Sequence, residues 1–313
     1  MSRIATVHPA TPANIATAAH ILRYGGLVAL PTETVYGLGA DATQGEAVAR
    51  IYESKGRPAF NPLIVHVADA AWVDDLAETN THFHALARAF WPGPLTLILK
   101  RKDTCPVSKL VCAGLDSIAL RMPNHPVALD LLRALGSPLA APSANASGML
   151  SPTRAEHVTG LTRVDMVLDG GPCREGLEST VVDLTSERPA ILRPGPVTSA
   201  MLTAVIGQLG VAGSGVMKSP GQLASHYAPR LPLRMNATRP EKTEAWLGFG
   251  PSDGATLNLS ATGDLVEAAA HLFDYLYQLD DPERFAAIAV APVPEEGLGA
   301  AINDRLRRAA TRV

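Results

Sequence analysis

The chain has 313 residues, 47% of them hydrophobic and 18% charged, a balance that builds real cores and suits two domains better than one. The net charge is −3, and basic residues outnumber acidic ones on neither side of Gly215, which excludes nucleic-acid binding through the whole surface but not a local basic cleft. Three cysteines, Cys105, Cys112 and Cys173, form no CxxC pair and are odd in number, which argues against a disulfide scaffold or a zinc cluster and leaves reduced thiols.

In chain order, a Thr-Pro start and a Gly-Gly stop predict a helix over Thr11–Tyr24. Leu27–Leu30 reads as a buried strand that runs into the loop Pro31-Thr32-Glu33-Thr34-Val35-Tyr36-Gly37-Leu38. Ala47–Ser54 reads as a helix stopping at Lys55-Gly56-Arg57-Pro58. Strands are expected at Leu63–Val67, Leu95–Lys100, Ser117–Arg121, Pro138–Ala141, Val164–Leu168, Thr180–Leu184 and Ala190–Arg193, with helices at Thr81–Phe90, Pro126–Leu135 and Thr198–Ile206. Several strands follow one another without a helix between, which points to an α/β fold built on a mixed sheet with flanking helices.

From Gly207 to Arg230, glycine and proline break any regular element, and a linker of about two dozen residues is functional or disordered as a rule. Beyond it, strands at Leu231–Met235, Thr256–Leu259 and Ala286–Val290 alternate with helices near Glu241–Trp246 and at Asp264–Gln278 and Leu298–Ala310. That alternation predicts a small, Rossmann-like three-layer α/β domain. The expected division is 1–206, a linker at 207–230, and 231–313.

The chain lacks a GxxxxGK[ST] loop, a complete dinucleotide fingerprint, HExxH and a nucleophile elbow. Polar residues instead crowd the ends of apolar strands, where α/β folds place ligands. Lys55 and Arg57, with Asn61 close behind, leave a helix on a fixed turn; they read either as a charge–dipole cap or as a phosphate clamp. Ser143 and Asn145 sit together at a strand exit, followed by Ser151, where a plain helix cap is the bland alternative. Thr32, Glu33 and Thr34 form a turn or a polar site. Arg121 ends a strand and demands an anionic partner, either an internal carboxylate or a ligand. His66, inside an apolar strand, reads first as a satisfied core residue.

Together, the segments PTETVYGL, KGRP with NPLIVHV, FWPGPLT, ALRMP, PSANASG, ESTVVDL and ILRPG, in that order over roughly residues 10–206, resemble the YrdC-like family. SPGQLASHYAP at 219–229 and the tail resemble its two-domain members, the threonylcarbamoyl-AMP synthases. The resemblance implies that L-threonine, bicarbonate and ATP become threonylcarbamoyl-adenylate and pyrophosphate, the first step of threonylcarbamoyladenosine formation in tRNA. It implies ATP contacts at Lys55, Arg57, Asn61, Ser117, Ser143, Asn145, Ser151, Arg193 and Tyr227, with Lys55 and Arg57 catalytic. It implies threonine contacts at Thr34, His66, Arg121 and Ser179, with Thr32 less firmly placed. Mg²⁺, at unknown ligands, would accompany ATP, and a downstream tRNA threonylcarbamoyl transferase complex would take the product. The linker would close over the cleft with Tyr227, although Gln222-Leu223-Ala224-Ser225 departs from the more basic or aromatic residues of some relatives.

An RNA-binding module of the same fold without catalysis remains the alternative, beside a carbamoyl-phosphate-dependent enzyme and a purely structural partner. Arg305, Arg307 and Arg308 share one expected helix, read as a solvated face with a weaker reading as a tRNA or protein contact. No apolar run of about 18 residues and no signal-peptide pattern is found, so no membrane span is expected and the cytoplasm is the expected compartment.

Overall fold

The computed structural model describes residues 6–158, 160–211 and 226–311. In the first part of the chain the elements are β1 (Val7–Pro9), α1 (Pro12–Arg23), β2 (Val28–Leu30), β3 (Gly37–Asp41), α2 (Gly45–Lys55), β4 (Ile64–His66), α3 (Val73–Leu76), β5 (Ala77–Glu78) and α4 (Thr81–Phe90). They continue with β6 (Leu95–Arg101), β7 (Ser117–Arg121), α5 (Pro126–Leu135), β8 (Leu139–Ala140), β9 (Met166–Asp169), β10 (Thr180–Asp183), β11 (Ala190–Arg193) and α6 (Ser199–Ile206). After the linker come β12 (Leu233–Arg234), β13 (Glu244–Gly248), β14 (Leu257–Asn258), α7 (Leu265–Leu279), β15 (Ala287–Val290) and α8 (Gly299–Ala310).

The helices start and stop where local chemistry dictates. Thr11, Asn80, Thr198 and Asp264 each accept a backbone N–H at a helix start. Gly56 ends α2 in the left-handed region at φ 59°, which lets the chain turn sharply between Lys55 and Arg57.

The large sheet runs β1-β9-β2-β3-β8-β4-β7-β6-β10-β11, with β5 paired to β6. It is mixed as expected: β4 pairs parallel with β7 and β6 with β10, whereas β3 and β8, β4 and β8, and β6 and β7 are antiparallel. Helices α1 and α5 bury one face through Leu22, Leu131 and Leu132 against Val28, Leu139 and Met166. Val65, Leu97, Leu99, Leu120 and Val182 build the main core on the other face. On the α1 side, farther along the sheet, Ile64, Ile98, Ala119 and Val181 form a small separate cluster. Two-residue alternation puts His66 and Arg121 on that same face as Ile64 and Ala119.

The second sheet, β12-β15-β13-β14, is parallel throughout. Ala245, Leu247, Ile288 and Val290 join α7 and α8 in one core, while Trp246 and Ala289 point the other way, toward Ala237 and Ala291. The helix expected near Glu241–Trp246 is instead strand β13 at Glu244–Gly248, the centre of this sheet, flanked by β14 and β15. Its burial on both faces removes the polar alternation that marks a half-exposed strand. Strands β1, β3 and β5 also escape the sequence reading. Tyr227, Val35, Leu150 and Leu177 belong to the same hydrophobic cluster as α7 and α8, so the two parts of the chain share apolar packing.

Candidate active site

The loop after β2 turns back on itself before β3. The Thr32 hydroxyl donates to the Val35 carbonyl at 2.7 Å, and the Thr32 and Thr34 hydroxyls meet at 2.8 Å. Arg121, at the end of β7, is locked from three sides. Nη1 donates to Thr34 at 2.9 Å, Nε to the Gly93 carbonyl at 3.3 Å, and Nη2 lies 2.7 Å from Glu33 Oε1. Both members of this ion pair are buried, and the internal carboxylate that the position of Arg121 demands is Glu33. The guanidinium fork has more donors than these partners use, so it keeps room for an incoming carboxylate.

Lys55 and the strand-exit loop meet directly. The Lys55 ammonium donates to the backbone carbonyls of Ser143 and Asn145, and the Ser147 N–H returns to the Lys55 carbonyl at 2.8 Å. Arg57, after the Gly56 turn, folds back onto the carbonyls of Asn61 and Pro62 at 3.1 and 2.9 Å. Burial, and secondarily the Arg57 charge, pushes the Lys55 ammonium well below its usual range. Burial, with Arg193 adding to it, lowers the Arg57 guanidinium to about 10. Cations this crowded and this dry favour an anion between them.

Arg193 ends β11 and wraps Ser179, with Nη2 donating to its carbonyl at 2.9 Å and to its hydroxyl at 3.1 Å. Thr96 meets the same hydroxyl at 2.7 Å. Gly195 allows this approach, since a Cβ there would lie 2.5 Å from the Thr180 nitrogen and 2.7 Å from the Glu178 carbonyl oxygen.

These elements enclose a cavity of about 40 Å³ lined by Thr32, Thr34, Arg57, His66, Arg121, Ser143, Glu178, Ser179, Arg193, His226 and Tyr227. Tyr227 is buried, at φ 63°, and its ring packs on His226 and Phe273. The segment is pinned on two sides: the His226 N–H donates to the Arg308 carbonyl of α8, and the Ala228 N–H to Gly148 in the strand-exit loop. Burial, followed by the nearby Arg121, lowers His66 to about 3; burial, against the opposing pull of Glu178, does the same to His226. Both imidazoles are therefore neutral at physiological pH.

Of the residues expected here, Lys55, Asn61, Ser117, Asn145 and Ser151 do not line the cavity. Lys55 braces the strand-exit loop from behind. Asn61 has both side-chain amide atoms buried without a partner, as is Asn145 Oδ1. Ser151 donates its hydroxyl to Glu178. Ser117 lies four residues from Arg121, at the far end of β7 on the same face. His66, read first as a core residue, lines the cavity instead. Of the linker, 207–211 and 226–230 are described; Gln222 to Ser225 lie outside the described residues.

The sequence reading missed Glu33's pairing role, His226, Glu178 and Arg305. Arg305 is a correction: it is not on a solvated face but 1% exposed, and its Nε donates to Glu178 at 2.8 Å. Arg307 fits the solvated reading, half exposed and paired with Glu295. Arg308 pairs with Asp304. Burial alone would raise the Glu178 carboxyl, but Arg305, then Arg193 and the Ser151 hydroxyl, overcome it and hold the group at about 2.

Residues 20–195 match a family described as telomere recombination, and residues 197–311 match the C-terminal domain of threonylcarbamoyl-AMP synthase. A threonylcarbamoyl-AMP synthase of Bacillus subtilis is 41% identical, over 95% of this chain and 92% of its own length. The chain belongs to the threonylcarbamoyl-AMP synthase family. Another such synthase, from Pyrococcus abyssi, is 40% identical over 94% of this chain and 93% of its own. Among solved structures, P. abyssi Sua5 complexed with L-threonine aligns with TM-score 0.88 and 37% identity, over 98% of this chain and 97% of that one. A variant of that protein with a histidine and a tyrosine replaced by alanine aligns with TM-score 0.89. The shorter Escherichia coli YciO covers 62% of this synthase at 26% identity and TM-score 0.52. As a threonylcarbamoyl-AMP synthase, the chain is an adenylyl-transferring enzyme that takes ATP as substrate and acts in tRNA modification.

Proposed function

We propose that the cavity beneath Tyr227 is where the synthase joins L-threonine, bicarbonate and ATP into threonylcarbamoyl-adenylate. The observation that carries this reading is the convergence of three cation-bearing segments, around Arg57, Arg121 and Arg193, on one buried space roofed by Tyr227. Arg121 and the Thr34 hydroxyl suit the carboxylate and polar groups of L-threonine, and Ser179 its hydroxyl. A site that pairs that hydroxyl discriminates against amino acids lacking it. Arg57, Arg193, Ser143 and Asn145 suit the triphosphate and ribose, with Asn61 supplying an amide that has no other partner. Lys55, which donates to the carbonyls of Ser143 and Asn145, sets the shape of the Ser143–Asn145 loop. Ser151 acts here only through Glu178, whose carboxylate its hydroxyl holds, and Ser117 lies away from the cavity.

The neutral threonine amine attacks bicarbonate carbon; water leaves and a carbamate remains. A carbamate oxygen then attacks the α-phosphorus, and the bond from phosphorus to the oxygen bridging to the β-phosphate breaks, releasing pyrophosphate. Negative charge grows on phosphate oxygens, where Arg57 and Arg193 act by position and charge. The described residues contain no cluster of three or more His, Cys, Asp or Glu side chains able to hold a metal, and the one carboxylate lining the cavity, Glu178, is paired with Arg305. Mg²⁺ would come in with the ATP substrate, held chiefly by its phosphates.

A space of about 40 Å³ admits a few waters and not a triphosphate. Substrate entry thus requires the 226–230 segment to lift, and its return excludes water from a carbamate that loses CO₂ readily. The product passes to a tRNA threonylcarbamoyl transferase complex in the cytoplasm. No helix among the described residues is long and apolar enough to cross a membrane.

The test is incubation with ATP, Mg²⁺, L-threonine and bicarbonate, followed by mass spectrometry. The expected product is threonylcarbamoyl-adenylate, lost with Arg57→Ala and strongly reduced with Tyr227→Ala. RNA binding without adenylate formation would overturn the assignment in favour of a non-catalytic module.

A further inference from the structure

Glu178 is the single carboxylate lining the cavity among the described residues. An unneutralised carboxylate there opposes a triphosphate in a space where charges are poorly screened. Its charge is met from the other end of the chain. Arg305, on α8 and 127 positions away, donates Nε to Glu178 Oε2 at 2.8 Å. The other two nitrogens are also engaged: Nη1 reaches Asp304 at 2.7 Å, and Nη2 donates to the carbonyl of Pro194, the residue after Arg193, at 3.0 Å. The guanidinium carbon lies 5.3 Å from the centre of the Tyr227 ring, within range of a cation–π contact. One side chain of the C-terminal part thus touches the cavity's carboxylate, the backbone beside Arg193 and the roof.

We propose that Arg305 is a positioning residue for adenylation, supplied by the C-terminal part of the chain, which cancels the Glu178 charge so that the cavity stays cationic for ATP and which seats Tyr227 over it. The inference rests on the cavity being the ATP site. A buried carboxylate stripped of its partner turns to other cations. The other cation close enough to act on Glu178 is Arg193, which the triphosphate needs. The Ser151 hydroxyl stays on Oε1 in either case and supplies no charge. Helix α8 therefore does more than pack: the catalytic cleft lacks charge balance without it.

The experiment uses the full chain with Arg305→Gln, Arg305→Lys, and Arg305→Gln combined with Glu178→Gln. The dissociation constant of α,β-methylene-ATP with Mg²⁺ is measured by calorimetry, beside KM and kcat for pyrophosphate release and a thermal melt for each variant. Arg305→Gln is expected to weaken nucleotide binding about tenfold, in the usual range for coupling between two sites. Adding Glu178→Gln removes the liberated charge and is expected to restore binding to within about threefold of the parent, even if the melt stays lower. Arg305→Lys, which keeps the charge, is expected to bind within about threefold as well. A purely structural role would lower the melt of the double variant without restoring nucleotide affinity. The proposal is overturned if folded Arg305→Gln binds nucleotide like the parent, or if the double variant binds no better than the single one. Should Arg305→Gln fail to fold, a folded Arg305→Lys or double variant that binds more than about tenfold weaker overturns it equally. Failure of the unaltered protein to bind the nucleotide would instead remove the adenylation reading itself.

Discussion

At the scale of single residues, the cavity keeps two imidazoles neutral because charging either would place another cation in a dry, cation-rich space. His66 and His226 both lie near 3 in the fold, against 6.5 for a free imidazole. Above that value neither state of the protein binds the proton, so neither histidine makes stability depend on pH. As pH falls through it, the unfolded chain takes up protons that the native state refuses, and stability drops by up to about 1.4 kcal/mol per pH unit for each such group. His125 and His157 are also lowered by burial and add to the slope. Glu178, held at about 2, loses its contribution as pH falls through the ordinary carboxylate value of 4.5 and on toward 2, so the interval from pH 6.5 to 5 belongs chiefly to the imidazoles. Urea denaturation across that interval should show stability falling in the parent and a slope shallower by up to one proton in His66→Gln. An unchanged slope would place the uptake elsewhere.

Among the elements, the turn after β11 packs against the backbone of residues 178–180 beside the Arg193–Ser179 contact, and that approach depends on Gly195 having no side chain. A Cβ there meets backbone of residues 178–180 at 2.5 to 2.8 Å, and backbone yields only by moving the strand. Gly195→Ala is expected to cost about 1–3 kcal/mol in stability, as overpacking does. Because the displaced backbone includes Glu178 and Ser179, KM for threonine should rise further than the melting temperature loss explains; steady-state kinetics beside a melt would check this. The same turn shows what was legible in advance. Strand β11, strand β7 and helices α4 and α5 have the expected bounds, because strong start and stop signals or continuous apolar runs mark them. Strand β3, Gly37–Asp41, has two glycines and no β-branched residue, and exists because β2 and β8 flank it. Local propensity carries no trace of such a strand. Of the residues singled out in the sequence, Arg57, Arg121, Ser143 and Arg193 line one cavity. Glu178 and Arg305 were illegible as partners, since nothing local joins residues 127 positions apart.

Across the whole molecule, the C-terminal part is joined to the N-terminal part by a second polar junction some distance from Arg305 in sequence. Asp274 of α7 takes both Nε and Nη2 of Arg154, at 3.0 and 3.3 Å, and lies 3.4 Å from His157 Nε2. His157 in turn stacks on Tyr277 at 4.1 Å, and the Tyr277 hydroxyl donates to the Leu150 carbonyl at 2.8 Å. This junction borders the loop that carries Ser151, whose hydroxyl holds Glu178, so it sits behind the same wall of the cleft. Removing Asp274 leaves Arg154 with a side chain 40% exposed, free to regain water, so the loss should be nearer about 1–2 kcal/mol than the larger value of a fully buried pair. Asp274→Ala should therefore fold, with its two sheets more weakly coupled. Calorimetry is expected to show the unfolding transition broaden or divide, the earlier component being one part of the chain released from the other. ATP with threonine should draw the components back together if the closed cleft needs both parts, because ligand bound only to the assembled form stabilises it by mass action. A single, equally sharp transition in the variant, with and without ligands, would mean that the apolar packing of Tyr227, Phe273 and Leu177 alone couples the two sheets.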